Sequence, residues 1–264
     1  MDTNQIKTYE SLYKRKEFRN LDLSDYKITD GEIIRGKKVL VVGIGTARDI
    51  RYLLGKNKIW GIDNSTEAVR FSKKLGIKAT VGNVEEKLPY TKNYFDIVII
   101  KDVLEHVDDS VSLLKECRRV LNKNGYIVAS VPNHFYFPFR IRILFGSNMI
   151  WKSIGHDHTK LFDEWNYMHK RFFTWRGFNK MITISGLKIA KSYWDFGTLA
   201  HYNQPDVVLR YLSQTKRKNT FLLNVLRLSW KVFCIIFPST VRSRIVSLSP
   251  DLLCAGFYSH LKKK

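Results

Sequence analysis

The feature that most constrains this chain is a short apolar run that ends at two closely spaced glycines. Lys38–Val42 reads Lys-Val-Leu-Val-Val and is followed at once by Gly43-Ile44-Gly45. β-Branched runs of this kind are typical of buried parallel strands. A glycine loop after such a strand lets the backbone approach a ligand, while the start of the next helix offers free N–H groups. The pattern predicts an α/β domain with a ligand site directly after its first strand.

The alternation of apolar runs and helical periodicity continues along the chain. Further strands are predicted at 59–62, 78–81, 95–100 and 125–131, and helices at 2–16, at 47–54, after Asn64 or Ser65, and at 110–121. A helix capped by Thr174 over 174–185, a strand over 187–194 and an antiparallel strand over 252–261 complete the prediction. This spacing favours a doubly wound, mostly parallel seven-stranded sheet with helices on both faces.

Two long segments interrupt this repeat and suggest how the chain is organised. The expected parts are an N-terminal helical cap over 1–35, a cofactor-binding core over 36–133, a basic aromatic insertion over 134–173, a core helix and strand over 174–196, a basic amphipathic insertion over 197–250, and a final strand with a basic tail over 251–264. Ligands bind at the carboxyl edge of such sheets. Both insertions are therefore expected to lie over the site.

The charge balance restricts the kinds of partner. The 264 residues include 45 Lys+Arg and 24 Asp+Glu, a formal net charge of +21, and most of the excess lies after residue 134. Such an excess is either a solvated surface or a face that meets polyanions, among which an anionic membrane surface is a candidate partner. Zinc-finger spacing, an RRM signature and a basic heptad helix are absent from the sequence, which disfavours a dedicated nucleic-acid module.

The cysteines and the apolar runs bear on the compartment. Cys117, Cys234 and Cys254 form no CxxC pair, which favours reduced thiols in the cytoplasm over a secreted disulfide framework. The first residues lack the apolar core of a signal peptide, and the longest uncharged runs are too short to span a bilayer. We expect a cytoplasmic protein, with peripheral membrane association as a further hypothesis.

The glycine loop distinguishes between nucleotide-like ligands. A dinucleotide fingerprint G-x-G-x-x-G needs glycine at position 48, where this chain has Arg48, and this disfavours a nicotinamide-dependent oxidoreductase. A G-x-G-x-G pattern instead needs a small residue at position 47, which Ala47 satisfies. Asp63 ends the second predicted strand, where a carboxylate can accept hydrogen bonds from both hydroxyls of a ribose.

Taken in order, these motifs resemble those of the class I S-adenosylmethionine-dependent methyltransferases. The resemblance covers about residues 36–133, with weaker similarity to 194 and near the end. Its motifs are Val39 to Ala47, Gly61 to Ser65, Gly82-Asn83, Leu88-Pro89-Tyr90, Tyr94 to Val98, Leu104-Glu105-His106-Val107, Arg118 to Leu121, Gly125, Pro132-Asn133 and His169 to Thr174. The resemblance implies a Rossmann-like fold and S-adenosylmethionine as the cofactor.

The resemblance also implies roles for individual residues. Gly43 and Gly45 would back the methionine part, Asp63 would hold the ribose, and Asn83 and the amide of Val84 would lie beside the adenine. The full predicted cofactor-binding set is Gly43, Gly45, Thr46, Asp63, Asn64, Asn83, Val84 and Lys101. Two positions depart from the family pattern. Position 41 is usually acidic but here is Val41, and position 83 is usually Asp, although an amide oxygen can still accept from an adenine amine.

Asp102, Glu105 and His106 follow the fourth predicted strand and are the candidates for the chemistry. Methyl transfer from a sulfonium depends on positioning and on proton removal from the acceptor. Three interpretations stay open. His106 packs against a neighbouring loop, or it deprotonates an acceptor hydroxyl, or the three residues bind a divalent cation in a pattern similar to that of quinone-biosynthesis O-methyltransferases.

The insertions supply candidates for the acceptor side. The predicted acceptor-binding residues are His134, Tyr136, Arg140 and His169. His156 and His158 form an HxH pair, for which a polar loop is favoured over a metal site. The segments 135–145 and 221–237 combine large apolar residues with Arg and Lys, which is typical either of helices packed on the domain or of segments in the head-group zone of a membrane.

The leading interpretation is a methyltransferase, acting on oxygen, whose acceptor is a small molecule, a lipid-linked compound or a glycan near the membrane surface. The alternative from another class is a degenerate module of the same fold that binds membrane or RNA without catalysis. Val41 supports that alternative, because the missing carboxylate would weaken cofactor binding.

Overall fold

The computed structural model describes residues 3–14, 34–144, 169–193, 228–229, 232, 235–254 and 256–264. The strands are β1 Lys38–Val42, β2 Lys58–Asp63, β3 Lys78–Val81, β4 Phe95–Lys101, β5 Leu121–Pro132, β6 Leu187–Tyr193 and β7 Gly256–Lys263. The helices are α1 Thr3–Lys14, α2 Thr66–Lys74, α3 Ser110–Val120, α4 Phe137–Leu144, α5 Trp175–Ile184, α6 Ser239–Leu248 and the short α7 Pro250–Leu253, with a 3₁₀ helix at Arg48–Leu53.

The strands form one mixed sheet in the order β3-β2-β1-β4-β5-β7-β6. The pairs among the first five strands are all parallel. Strand β7 runs antiparallel to both β5 and β6. The order reverses between β1 and β4, and this switch point opens a crevice at the carboxyl ends of these two strands. The predicted fold class, a doubly wound and mostly parallel seven-stranded sheet, is confirmed.

Alternate residues of β1 face two separate cores. Leu40 and Val42 belong to the core that α3 and α5 cover, together with Phe178 and Phe257. Val39 and Val41 belong to the opposite core, which receives the 3₁₀ helix, α2 and α6. Because both faces of the strand are buried, a continuous apolar run is what this position requires.

Backbone conformation sets the shape of the loop after β1. Gly43 and Gly45 have φ angles of 70° and 52°, in the left-handed region that disfavours most side chains. A Cβ atom built on Gly43 would overlap Cγ2 of Val103. The loop therefore needs glycine at position 43 both for its dihedral angle and for its close approach to the segment after β4.

Several sequence-based boundaries needed correction. The helix predicted at 47–54 is a 3₁₀ helix, preceded by Ala47 in the left-handed conformation, and β5 begins at Leu121 instead of 125. The last strand begins at Gly256 instead of 252, because Pro250 opens a short helix, a position where its missing N–H costs nothing. Ser65, and not Asn64, caps α2 by accepting from the amide of Ala68.

Asn133 joins the end of β5 to the C-terminal segment. Its fully buried amide nitrogen donates to the carbonyl oxygens of Asp251 and Cys254, at 3.0 and 2.6 Å, and its Oδ1 accepts from the amide of Phe135 at 2.8 Å. The same side chain therefore anchors α7 and turns the chain after β5 toward His134.

Replacing Asn133 with Asp should destabilise the fold by about 3 kcal/mol, because a buried carboxylate would face carbonyl oxygens and lose both donated hydrogen bonds. Chemical denaturation followed by circular dichroism measures this change. The matched control is Asn93→Asp at an exposed position, where Oδ1 accepts from Lys263 and a carboxylate is tolerated. Equal free energies of unfolding for the two variants would contradict the anchoring role of Asn133.

Candidate active site

A cleft opens at the carboxyl ends of β1, β2 and β4, where the strand order reverses. Its walls bound about 520 Å³ of space, part of which is open to solvent. The residues that line it are Tyr9, Tyr13, Gly43, Asp63, Asn64, Ser65, Val84, Asp102, Val103 and His106. Residues from the glycine loop, from the end of β2 and from the segment after β4 thus meet at one place.

Asp63 is a polar group of the cleft that is held on both of its carboxylate oxygens. Its two carboxylate oxygens accept from the amides of Gly45 and Ser65, each at 2.9 Å. Burial raises the pKa of Asp63, and the hydrogen bonds from these two amides oppose the rise. Each oxygen keeps lone-pair capacity for a further donor. A fixed carboxylate of this kind at the end of the second strand suits the two hydroxyls of a ribose.

The chemistry of the lining fits a nucleoside with a charged tail, as in S-adenosylmethionine. Gly43 leaves the backbone open to close approach, Asp63 offers acceptors to a sugar, and Val84 offers an apolar side chain. Val41 is buried in the core and supplies no charge. Asp102 lines the cleft beside Gly43 instead, so a carboxylate is still present near the end of β1 although position 41 is apolar.

Four of the predicted cofactor-binding residues, Gly45, Thr46, Asn83 and Lys101, do not line the cleft. Thr46 is buried. Asn83 turns toward the following loop, where its Oδ1 accepts from the amide of Glu85 and its Nδ2 donates to Glu86. Lys101 is engaged in ion pairs. Gly45 contacts the site through its hydrogen bond to Asp63.

Lys101 lies between two carboxylates below the cleft. Its Nζ is 2.9 Å from Oδ2 of Asp49 and 3.3 Å from Oδ2 of Asp102. Burial alone would lower the pKa of Lys101, but the charges of Asp49 and Asp102 together raise it. Since Ser130 also donates to Asp102 at 2.9 Å, this carboxylate is held in place at the cleft floor.

Three histidines meet beside the cleft. The rings of His106 and His169 lie 4.7 Å apart between centroids, and Nε2 of His134 is hydrogen-bonded to Nδ1 of His169 at 2.7 Å. Burial, followed by the influence of His106, lowers the pKa of His134 to about 4 and that of His169 to about 2. Both residues are therefore neutral at physiological pH, and His106 is the member that faces the cleft.

The backbone of Glu105 fixes the segment that places His169 beside His106. Its carbonyl oxygen accepts from the amides of Lys170 and Arg171, at 2.7 and 3.1 Å, which fixes the segment that begins with His169. The side chain of Glu105 is buried, with Oε1 3.8 Å from Nε2 of His106. Burial, and next the charge of Asp102, raise the pKa of Glu105 well above its usual range.

The same cluster could hold a divalent metal. Ligand atoms of Glu105, His106 and His169 lie within 4.8 Å of one another, and carboxylate and imidazole groups are common ligands of transition metals. Asp102, which the sequence analysis grouped with Glu105 and His106, is not part of this set. His156 and His158 lie outside the described residues.

The remaining predicted acceptor-binding residues are placed differently. His134 and His169 join His106, as described. Arg140 is exposed on α4, where its Nε donates to the carbonyl of Phe135, and Tyr136 is half-buried just before that helix. Neither of these two lines the cleft. Their assignment to the acceptor stays a prediction.

Sequence analysis missed the contribution of α1 to the site. Tyr9 and Tyr13 stack on each other with centroids 5.9 Å apart and both line the cleft. The only signal was an aromatic pair at i, i+4 on an otherwise polar helix. Ser65 and Val103 were also missed, since one reads as a helix cap and the other as an ordinary apolar residue.

Known proteins provide independent findings about this chain. Residues 40–129, from β1 into β5, match the family described as a methyltransferase domain. An uncharacterised protein of Methanocaldococcus jannaschii is 32% identical over 92 residues, which cover 35% of this chain and 43% of that protein. The chain thus spans less than half of this relative.

A longer match extends beyond the first five strands. The ubiquinone biosynthesis O-methyltransferase of Vibrio vulnificus is 25% identical over 180 residues, covering 61% of this chain and 76% of that enzyme. Among solved structures, a TehB-like S-adenosylmethionine-dependent methyltransferase of Corynebacterium glutamicum aligns over all of both chains with a TM-score of 0.53 and 14% identity. The structural likeness bears on the fold alone.

Replacing Asp63 with Asn should weaken S-adenosylmethionine binding about tenfold or more, because an amide accepts fewer hydrogen bonds and lacks the charge that strengthens them. Isothermal titration calorimetry with the purified chain measures this affinity. Asp108→Asn serves as the control, since Asp108 is exposed and pairs with Lys170 outside the cleft. Unchanged affinity for S-adenosylmethionine in Asp63→Asn would contradict the assignment of Asp63 to the ribose.

Proposed function

We propose that this chain is a class I S-adenosylmethionine-dependent methyltransferase and that it transfers the methyl group to a hydroxyl oxygen of its acceptor. S-adenosylmethionine, when bound, supplies a methyl group on a positively charged sulfur. In the transfer, the sulfur–methyl bond breaks, the oxygen–methyl bond forms, and the hydroxyl proton must leave. The imidazole of His106 is the group that takes this proton.

The position of His106 in the cleft lining carries this proposal. It follows β4 directly, on the same cleft as Asp63 and Gly43. Its neighbours His134 and His169 have strongly lowered pKa values, so they are poor proton acceptors. Oε1 of Glu105 lies 3.8 Å from Nε2 of His106, but burial raises the pKa of Glu105 and disfavours its charged form, so Glu105 has no part in the proposed proton transfer.

The name of the Vibrio relative supports oxygen as the accepting atom. That protein is an O-methyltransferase of ubiquinone biosynthesis. We propose a small-molecule, lipid-linked or glycan acceptor for this chain. The residues that hold the cofactor would be Gly43, Asp63, Val84 and Asp102, which all line the cleft.

We further propose that the acceptor is met at an anionic membrane surface, from the cytoplasmic side. The apolar rim, our name for Phe137, Ile141 and Leu144 of α4 with Val241 and Leu248 of α6, is exposed. Helix α7 packs against both of these helices, which places both near the C-terminal segment that Asn133 anchors to the end of β5. Exposed apolar groups next to basic ones are typical of surfaces that rest on lipid.

The rim also contains basic residues. Arg140 on α4 and Arg244 on α6 are exposed among the apolar side chains. Each basic residue near an anionic surface contributes about 1 kcal/mol to binding. In the described part of the chain, none of the helices combines the length and the apolarity needed to cross a bilayer.

His106→Ala should lower turnover by more than about tenfold while leaving the affinity for S-adenosylmethionine unchanged, because the variant loses the proton acceptor but keeps Asp63. The assay follows S-adenosylhomocysteine formation with extracts that contain phenolic, lipid-linked or glycan acceptors, and calorimetry reports cofactor binding. His260→Gln, in a buried contact with Tyr193 on the far side of the sheet, is the control. Wild-type turnover in His106→Ala would exclude this role.

The purified chain should co-sediment with vesicles that contain anionic lipid at low salt, and binding should fall as ionic strength rises. Leu144→Asp combined with Leu248→Asp should reduce the bound fraction several-fold. Ile184→Asp is the matched control, since Ile184 is equally apolar and exposed at the end of α5. Failure of the wild-type chain to bind these vesicles would end the membrane proposal.

A further inference from the structure

Three side chains of helix α1 contact the candidate active site. Tyr9 reaches His106, Glu10 reaches the start of α2, and Tyr13 lies against Gly45. These three contacts fall within five residues of one helix and meet three separate elements of the cleft. Among the residues of α1 whose side chains the structure describes, these three make the contacts with the cleft.

Tyr9 contacts the imidazole of His106 both through its hydroxyl and through its ring. The hydroxyl oxygen lies 3.2 Å from Nε2 and 3.4 Å from Nδ1. The two rings meet edge-on, with centroids 5.8 Å apart and an angle of 89° between their planes. On its other side the imidazole meets His169, so its orientation is limited from two directions.

Glu10 fixes the helix that carries Tyr9. Its Oε1 accepts from the amide of Thr66 at 2.7 Å and from the hydroxyl of Thr66 at 2.6 Å. These donors belong to the first turn of α2, where amides lack partners within the helix and a negative charge is favoured. The side-chain hydrogen bond from Thr66 is the largest cause that lowers the pKa of Glu10, which keeps the carboxylate charged.

Ser65 contacts both Glu10 of α1 and the carboxylate proposed to bind the ribose. Ser65 donates its hydroxyl toward Oε1 of Glu10 at 3.4 Å, and its amide donates to Asp63. The segment that fixes the ribose carboxylate therefore also fixes α1. The contacts of Glu10 beside Asp63 therefore also hold Tyr9 at His106, the proposed proton acceptor.

We propose that Tyr9 is a positioning residue that orients the imidazole of His106 for proton removal, and that Glu10 acts through Tyr9 by holding α1 on the start of α2. This inference rests on the role proposed above for His106. Neither residue touches the reacting atoms in this scheme. Tyr9 acts on His106, and Glu10 acts on the placement of Tyr9.

A double-mutant cycle tests whether the two residues act in series. Tyr9→Phe keeps both ring contacts and removes the hydroxyl, and kcat should fall about five- to tenfold with KM for S-adenosylmethionine unchanged. Glu10→Gln should lower kcat about threefold. The double variant should be no slower than Tyr9→Phe alone, because Glu10 has no effect once the hydroxyl is absent. Multiplied losses in the double variant would overturn the series relation.

Matched controls separate this effect from general changes of charge or aromatic content. Tyr94→Phe removes a hydroxyl at the amino end of β4, where the ring meets Lys38 and Phe95. Glu67→Gln changes an acidic residue in the same first turn of α2, where it pairs with Arg70. Both variants should retain the wild-type kcat. A loss in either as large as that in Tyr9→Phe would count against the proposal.

Nuclear magnetic resonance gives a readout that does not depend on turnover. The ¹⁵N shifts of the His106 ring, assigned by comparison with His106→Asn, report which tautomer is present. They should move in Tyr9→Phe and in Glu10→Gln and stay in place in Tyr94→Phe. Unmoved shifts in Tyr9→Phe would overturn the positioning role. Moved shifts in a chain that methylates no hydroxyl would instead refute the proposed function alone.

Discussion

The site depends on a single buried carboxylate. Asp63 accepts one hydrogen bond from the glycine loop and one from the start of α2, so it ties together the ends of β1 and β2 and the helix that follows. Burial disfavours its charge, and the two amides offset part of this cost. Without these hydrogen bonds, the glycine loop and the start of α2 would no longer be held to the same carboxylate, and the cleft between them would lose its shape.

A second set of interactions arranges the chemistry around that point. Backbone bonds from Lys170 and Arg171 to Glu105 place His169 against His106, although these segments are more than sixty residues apart in the chain. Asp102 is held by Lys101 and Ser130 at the floor of the cleft. Polar groups around His106 are therefore fixed from several elements, and His106 is the one of the three histidines that lines the cleft.

The location of the cleft could be predicted from the sequence, because the residues that form it belong to local patterns. An apolar run that stops at Gly43 and a carboxylate at the tip of the second strand follow directly from residue order. Thr46, Asn83 and Lys101 show where this reasoning fails. They lie in the right segments, but their side chains turn toward Glu85, Asp49 or the interior, because the partner that a polar group finds depends on distant residues.

The sequence by itself determined the α/β class, the central strands, the glycine loop and the candidate proton acceptor, since each rests on periodicity or on spacing of a few residues. Only the tertiary structure decided that Tyr9 and Glu10 belong to the site, that His134 and His169 stand behind His106, and that α4 and α6 both pack against α7. The physical reason is that these contacts join residues far apart in the chain. Packing and hydrogen bonding between distant segments set the distances between these residues, and a local sequence pattern contains no information about such contacts.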